Sequence, residues 1–279
     1  MLRTLLAHPL TRGADLSNPR SVFLCRRIIE EKPLLRRIYE EWYAALTEAL
    51  PGGSEPVLEV GSGAGFLHEL IPDLITSDIF PCPGVRLVLD GQRLPFAEAA
   101  LRGIVMTDVL HHLPHPRSFL AEAARCVRPG GVLAMIEPWV SGWSRLVYRH
   151  LHHEPFLPAT LDWEFPLSGP QSGANIALPW LIFERDRKRF EREFPEWRIQ
   201  TIRPMMPFRY LVCGGLVRRS LLPGFAFELV QRLERKMEPR MHQWAMFAQI
   251  VLVRNFITDK DLAADEPPKR VGKATPARV

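Results

Sequence analysis

The sequence predicts a doubly wound α/β fold, and three observations point to it. Between Pro56 and Trp139, short apolar runs alternate with helical or loop segments. The runs are continuously apolar, as strands of a parallel sheet buried on both faces are. The first run also enters a glycine-rich turn, the βα junction at which such sheets bind ligands.

The elements follow in order. Residues 1–20 read as loosely structured, and residues 1–32 as an arm or cap on a domain covering 33–257. Pro33 suits a first helical turn. After it Leu35, Ile38, Trp42, Leu46 and Ala49 recur at three- and four-residue steps, and Pro51-Gly52-Gly53 closes the helix. Strands are predicted at Val57–Val60, Leu74–Ser77, Val85–Leu89, Gly103–Thr107 and Val132–Glu137, with a helix expected directly after the glycine-rich turn. A helix over about Arg117–Val127 carries Phe119, Leu120, Ala123, Ala124 and Val127 on one face and is stopped by Pro129-Gly130-Gly131. Residues 140–195 form an insertion rich in Trp, Pro and His with little strand character; a long irregular insertion is usually functional or disordered, and the aromatic content favours the former. Beyond it, Trp197–Arg203 and Met246–Val253 read as strands. Between them Ala226, Val230, Leu233 and Met237 make a helical stripe ended by Pro239. The tail from Thr258 is charged, Pro-containing and poor in large apolar residues, which predicts disorder.

Composition excludes several classes. The 279 residues, 47% of them hydrophobic, suffice for a sizeable core. No apolar run reaches the length of a membrane helix, and the N-terminus has no signal-peptide pattern, so a cytoplasmic protein is expected. Cys25, Cys82, Cys126 and Cys213 lie far apart without a C-x-x-C pair, which argues against zinc ribbons and disulfide frameworks. The formal net charge of +5 suits an acidic partner. However, Arg232, Arg235 and Lys236 alternate with Glu228, Glu234 and Glu238, the pattern of a solvated helix face.

The chemistry is concentrated in Val57-Leu58-Glu59-Val60-Gly61-Ser62-Gly63-Ala64-Gly65-Phe66. Glycines at 61, 63 and 65 allow a tight turn and close approach of a ligand to the backbone, and Glu59 places a carboxylate at the strand end. Phe66 stands where a dinucleotide fingerprint has its third glycine. Asp78 follows the second strand at the distance of a ribose-binding acid, although an acid there can also cap a helix. Asp90 closes the third strand, where with Gly91 it could equally begin a turn, and Leu94-Pro95-Phe96 follow. Thr107-Asp108-Val109-Leu110-His111-His112-Leu113-Pro114 ends the fourth strand. There Asp108 either reaches a ligand or caps the turn.

Together these segments, over residues 55–138, resemble the class I S-adenosylmethionine-dependent methyltransferases, in particular the methyltransferase type 11 group. The resemblance implies a Rossmann-like sheet of seven strands with the last antiparallel, and S-adenosylmethionine as cofactor. It implies cofactor contacts from Glu59, Gly61, Ser62, Gly63, Gly65, Asp78, Asp90, Gly91, Leu94 and Asp108, with Asp90 facing the adenine amino group and apolar residues such as Leu94 flanking the ring. Ala99-Ala100-Leu101-Arg102-Gly103 departs from the family by lacking an acid before the fourth strand.

His111 and His112 lie just past the fourth strand on the edge where ligands bind, and imidazole titrates near neutrality. One of them, His112 by preference, is the candidate base or acceptor contact. The alternative is that both merely pack the turn. Glu137-Pro138-Trp139, and Ser168-Gly169-Pro170 to Asn175 with Pro179-Trp180, are candidates to line the acceptor site. His150, His152, His153 and Glu154 cluster in sequence, but only His150 and Glu154 have helical spacing, so no metal is expected.

The expected activity is methylation, at O or C rather than N, of a small hydrophobic or lipid-like acceptor. Nucleic acid is not expected as substrate, because no Asn/Asp-Pro-Pro-aromatic motif follows the fourth strand. The aromatic insertion, the apolar Met205–Val217 region and the basic helix near Arg232 suggest a hydrophobic acceptor such as a lipid, quinone or polyketide-like compound, and a weak peripheral membrane contact is a further expectation. The competing readings are a non-catalytic cofactor-binding or interaction module and a nicotinamide-dependent oxidoreductase. Phe66 and the absence of a Tyr-x-x-x-Lys pair disfavour the latter.

Overall fold

The computed structural model describes residues 8–11, 21–152, 154–165, 173–221 and 223–256. The expectations for residues 1–20 and for the tail from Thr258 therefore fall almost wholly outside the described residues.

Helices α1 (Ser21–Glu31) and α2 (Pro33–Ala49) precede strands β1 (Val57–Val60), β2 (Leu74–Asp78), β3 (Leu87–Val88) and β4 (Leu101–Thr107). Then come α3 (Pro116–Cys126), β5 (Val127–Pro138), α4 (Gly142–Leu151) and α5 (Leu178–Trp180), which runs into a π-helical turn over Leu181–Arg185. The chain closes with α6 (Arg187–Glu193), β6 (Trp197–Met205), α7 (Arg209–Cys213), α8 (Ala226–Lys236), α9 (Met241–Trp244) and β7 (Phe247–Arg254). The strands form one sheet in the order β3-β2-β1-β4-β5-β7-β6. Strands β1 to β5 are mutually parallel, and β7 runs antiparallel to both β5 and β6. This is the doubly wound seven-stranded sheet that the apolar runs and the family resemblance predict. The insertion follows the fifth strand.

Side chains alternate across the sheet. Leu58, Val60, Ile104, Met106, Leu133 and Met135 pack on one face with α3 and the segment 177–194. Val57, Val105, Val132, Ala134 and Ile136 pack on the other with α1, α2 and Tyr148 of α4. The helical spacing read for α2 is met: Leu35, Ile38, Trp42 and Leu46 are buried. Ile28 and Ile29 of α1 lie in the same core, so this helix is packed into the domain.

Five local expectations change. The glycine-rich turn leads not into a helix but into a single 3-10 turn, Leu67–Glu69. Only residues 61–73 separate β1 from β2, and a proline at 72 disfavours continuing a helix through the residue before it. β3 pairs over Leu87–Val88 alone. α3 ends at Cys126 and Val127 already pairs with Leu101, so Pro129-Gly130-Gly131 lies within β5 rather than stopping the helix. The insertion is more helical than its composition suggests: Ser141 caps α4 through a reciprocal capping box with Ser144. Finally, α8 forms as read but buries Phe227 and Glu234, leaving Leu233 of the expected stripe exposed.

Candidate active site at the carboxyl edge of the sheet

The carboxyl ends of β1, β2, β4 and β5 converge on one edge, and the sequence-predicted residues collect there. Gly61 and Gly63 have φ of +69° and +47°, the left-handed region that side chains disfavour. At Gly61 an added Cβ would meet Val109 Cγ2 at 2.5 Å, so the turn after β4 packs directly on the glycine loop. At Gly63 the nearest atoms are Asp78 Oδ2 and the Gly61 carbonyl, both at 3.9 Å, which leaves the loop open on that side. Ser62 locks the loop: its backbone N–H donates to the Ser77 carbonyl, and its hydroxyl donates to Glu59 Oε2 at 2.7 Å. Gly65 closes the turn by donating to the Ser62 carbonyl, and a Cβ there would strike the Tyr43 hydroxyl at 2.5 Å.

Glu59 is buried. Loss of hydration pushes its carboxyl up to about 7, an effect that the Ser62 hydrogen bond opposes and Asp78 reinforces. Asp78 ends β2 beside the loop and accepts the Gly63 N–H at 3.0 Å on Oδ2 and the Phe80 N–H on Oδ1. Asp90 is exposed and accepts from the Gln92 backbone and amide in an Asx turn, the alternative weighed for it above. Gly91 is buried against Val60 and Phe119. The Leu94 side chain lies in the core while its N–H donates to Glu122.

The second half of the site is a carboxylate–imidazole chain. Asp108 follows β4 at φ +63°, a left-handed conformation uncommon for a residue with a side chain. The 3-10 turn Leu110–His112 comes next and turns His111 inward. Glu137, fully buried near the end of β5, accepts from Val109 N and Leu110 N on Oε1 and from His111 Nδ1 on Oε2 at 2.8 Å. Nε2 of His111 faces Glu154 Oε2 at 3.5 Å, and His112 Nε2 faces Glu154 Oε1 at 3.7 Å. Burial alone would lower His111, but the Glu137 and Glu154 carboxylates outweigh it and hold the imidazole well above its ordinary range. His112 is driven to about 4 by burial and by the neighbouring His111 charge, so it is a neutral ring at pH 7. The His111, His112 and His152 rings override burial and pull Glu154 below the usual carboxylate range. Asp108 is pushed up to about 7, first by desolvation and then by Glu137 and Glu154, with His111 opposing.

Glu154 and Asn175 carry roles that sequence reasoning missed. Within the run from His150 to Glu154, the His152 ring accepts from the Glu154 N–H and lies 3.8 Å from its carboxylate. Glu154 is also delivered across space to His111 and His112, while His153 lies outside the described residues. Asn175 is the staple. Its N–H donates to the His111 carbonyl, its Oδ1 accepts from Leu157 N and Ala177 N, and its Nδ2 donates to Leu157 O. The available signal was a polar residue flanked by apolar ones in Ala174-Asn175-Ile176. Ser168 to Pro170 lie outside the described residues. Trp139 and Trp180 line an open groove of about 460 Å³ with Val140, Ile199, Ile202, Glu184, Arg187 and His242, and that groove begins two residues beyond Glu137.

Two trios, His111–His112–Glu154 and Asp108–His111–Glu137, bring ligand-type atoms within 4.8 Å of one another. In the second, Glu137 is already saturated by two backbone N–H groups and an imidazole. In the first, both rings point at one carboxylate, an arrangement that balances charge internally.

Parts of the chain are similar to known proteins. The methyltransferase-domain family model matches residues 58–135. The phthiotriol/phenolphthiotriol dimycocerosates methyltransferases of Mycobacterium tuberculosis and Mycobacterium bovis are 30% identical over 149 residues, covering 44% of this chain and 54% of theirs. The chain thus spans about half the length of these curated relatives. A solved S-adenosylmethionine-dependent methyltransferase from Thermotoga maritima superposes with a TM-score of 0.52 at 15% identity, over 85% of this chain and 98% of that one. The geranyl diphosphate C-methyltransferase of Streptomyces coelicolor gives 0.47 at 12% identity, over 78% and 80%. At its identity the Thermotoga maritima structure speaks to the fold alone.

Proposed function

We propose, from the premise that this chain is built on a class I S-adenosylmethionine-dependent methyltransferase domain, that it methylates a hydroxyl or acidic carbon of a hydrophobic, lipid-like acceptor, with His111 as the base. When bound, S-adenosylmethionine supplies an electrophilic methyl group on a sulfonium. The residues at the carboxyl edge of the sheet fit that molecule. The open side of Gly63 lies beside Asp78, whose carboxylate suits ribose hydroxyls, and the buried Glu59 offers a negative charge to a cationic ligand. Gly61, Ser62 and Gly65 shape the loop. Asp90, Gly91, Leu94 and Asp108 lie on the same edge as further candidate contacts.

One observation carries the assignment of the base: His111 is buried, with Nδ1 fixed on Glu137 and Nε2 facing Glu154. A buried carboxylate on Nδ1 sets the tautomer and stabilises the imidazolium that forms when Nε2 takes a proton. An acceptor hydroxyl that displaces Glu154 from Nε2 would be placed for that transfer. This is why the earlier preference for His112 gives way to His111: the neutral His112 ring is too weak a base and has no carboxylate behind it. The insertion supplies Glu154 and Asn175 from above the sheet and keeps water from the reacting atoms. The dimycocerosates methyltransferases, whose names denote lipid acceptors, support the acceptor class.

The test uses the purified full chain. Calorimetry should show S-adenosylmethionine binding, and hydroxylated lipid extracts should release S-adenosylhomocysteine. His111→Gln should retain cofactor binding and lose turnover. No affinity for the cofactor sinks the premise. Full turnover by His111→Gln sinks the role of His111.

A further inference from the structure

We infer that the outward face of α8 is a docking surface for an anionic lipid bilayer, which the protein touches from one side without crossing. Phe225, Leu229 and Leu233 stand at four-residue steps on one face of this helix and retain 86%, 69% and 50% of their exposure. Leu221, on the loop leading in, is exposed as well. Contiguous apolar exposure of this kind marks an interaction site. Arg232 and Lys236, both exposed, fall on the same face by helical spacing. An apolar stripe bracketed by cations is the pattern of an interfacial helix.

The structure also changes the charge of this face from what the sequence implied. Of the three acids that alternate with the basic residues, Glu234 is withdrawn into the interior. There it accepts from Phe208 N and Arg209 N and pairs with the Arg209 guanidinium. Glu228 is 3.8 Å from Arg37 of α2. Glu228 and Glu238 stay exposed beside Arg232, Arg235 and Lys236, so the solvent side carries a small excess of positive charge, complementary to anionic headgroups rather than to a neutral surface. No helix among the described residues is long and apolar enough to span a bilayer, so contact would be from one side.

Topology places this face where it would be useful. β6 and β5 are both antiparallel to β7 and so point the same way, and the connection 206–246 that contains α8 leaves the carboxyl edge of the sheet, the edge that holds the glycine loop and His111. A bilayer held against α8 would lie on the side of the candidate site. The surface stands whatever acceptor is methylated.

The experiment is co-sedimentation of the full chain with phosphatidylcholine vesicles, with and without phosphatidylglycerol, across a salt series. The protein is expected to pellet with the mixed vesicles and to be released by salt. Arg232→Glu with Lys236→Glu should lower the binding constant for mixed vesicles by about fivefold for each cation lost. Leu229→Ser with Leu233→Ser should abolish pelleting, while melting temperature and cofactor affinity stay at wild type. Failure of the wild-type protein to pellet with mixed vesicles overturns the inference, as does unchanged pelleting of the leucine variant. A dimer in light scattering that the leucine variant dissolves would assign the face to a second copy of the chain and overturn it equally.

Discussion

Replacing Glu137 by Gln keeps the shape of the side chain and removes its charge, which isolates what the carboxylate does. Glu137 accepts three hydrogen bonds, two from backbone N–H groups and one from His111 Nδ1. Glutamine has one acceptor oxygen. Wherever it points, its amide N–H₂ faces a donor, the backbone pair or the imidazole. Breaking one partner of a buried ion pair costs about 3–5 kcal/mol. Because Glu154 still faces the other nitrogen of His111, the low end, about 3 kcal/mol, is expected here. For a domain of this size that is a fall in Tm of roughly 6–12 °C. The His111 imidazolium also loses its main stabiliser, so its pKa should fall towards the range that burial alone dictates. In the wild-type protein, His111 must shed its proton before it can accept one, so kcat should rise with pH above the ordinary imidazole range. In Glu137→Gln that limb should move to lower pH, with a plateau about a hundredfold or more below wild type. Differential scanning fluorimetry and a pH series of S-adenosylhomocysteine release measure both effects. A variant that melts within about a degree of wild type and turns over within about twofold, on the same pH profile, would refute the carboxylate–imidazole relay.

Three further outcomes follow from the geometry. Glu59 has a raised carboxyl pKa, near 7 in the folded protein, so its contribution to stability is present below the usual carboxylate range and lost as pH rises through that value. S-adenosylmethionine should prefer the ionised form and bind about tenfold more tightly at pH 8 than at pH 6 by calorimetry, while Glu59→Gln loses this dependence and melts higher at alkaline pH. Gly61→Ala would force a side chain into the left-handed region at φ +69° and against Val109, so unfolding titrations should show a loss of about 2–4 kcal/mol. Extensive treatment with a metal chelator should leave turnover unchanged, because the His111 imidazolium already balances the Glu154 carboxylate. Activity lost to the chelator and restored by a divalent cation would recast them as ligands.

What the sequence by itself determined is whatever depends on local chemistry. The burial of Leu35, Ile38, Trp42 and Leu46 follows from helical period, and the strands follow from continuous apolar runs, because a parallel sheet covered on both faces leaves no room for polar alternation. The left-handed turn of the glycine loop was legible because its backbone geometry is set within a few residues. The tertiary structure alone decided the rest. Glu154 is far from His111 in sequence and reaches it only because Asn175 ties the insertion to the turn after β4. The relative basicity of His111 and His112, adjacent and chemically identical, rests on which ring meets Glu137. Glu234 lies inside, where it pairs with Arg209 from another helix, while Leu229 on the same helix lies outside. Electrostatic partners and solvent exposure are properties of position in three dimensions, and periodicity along the chain does not encode them.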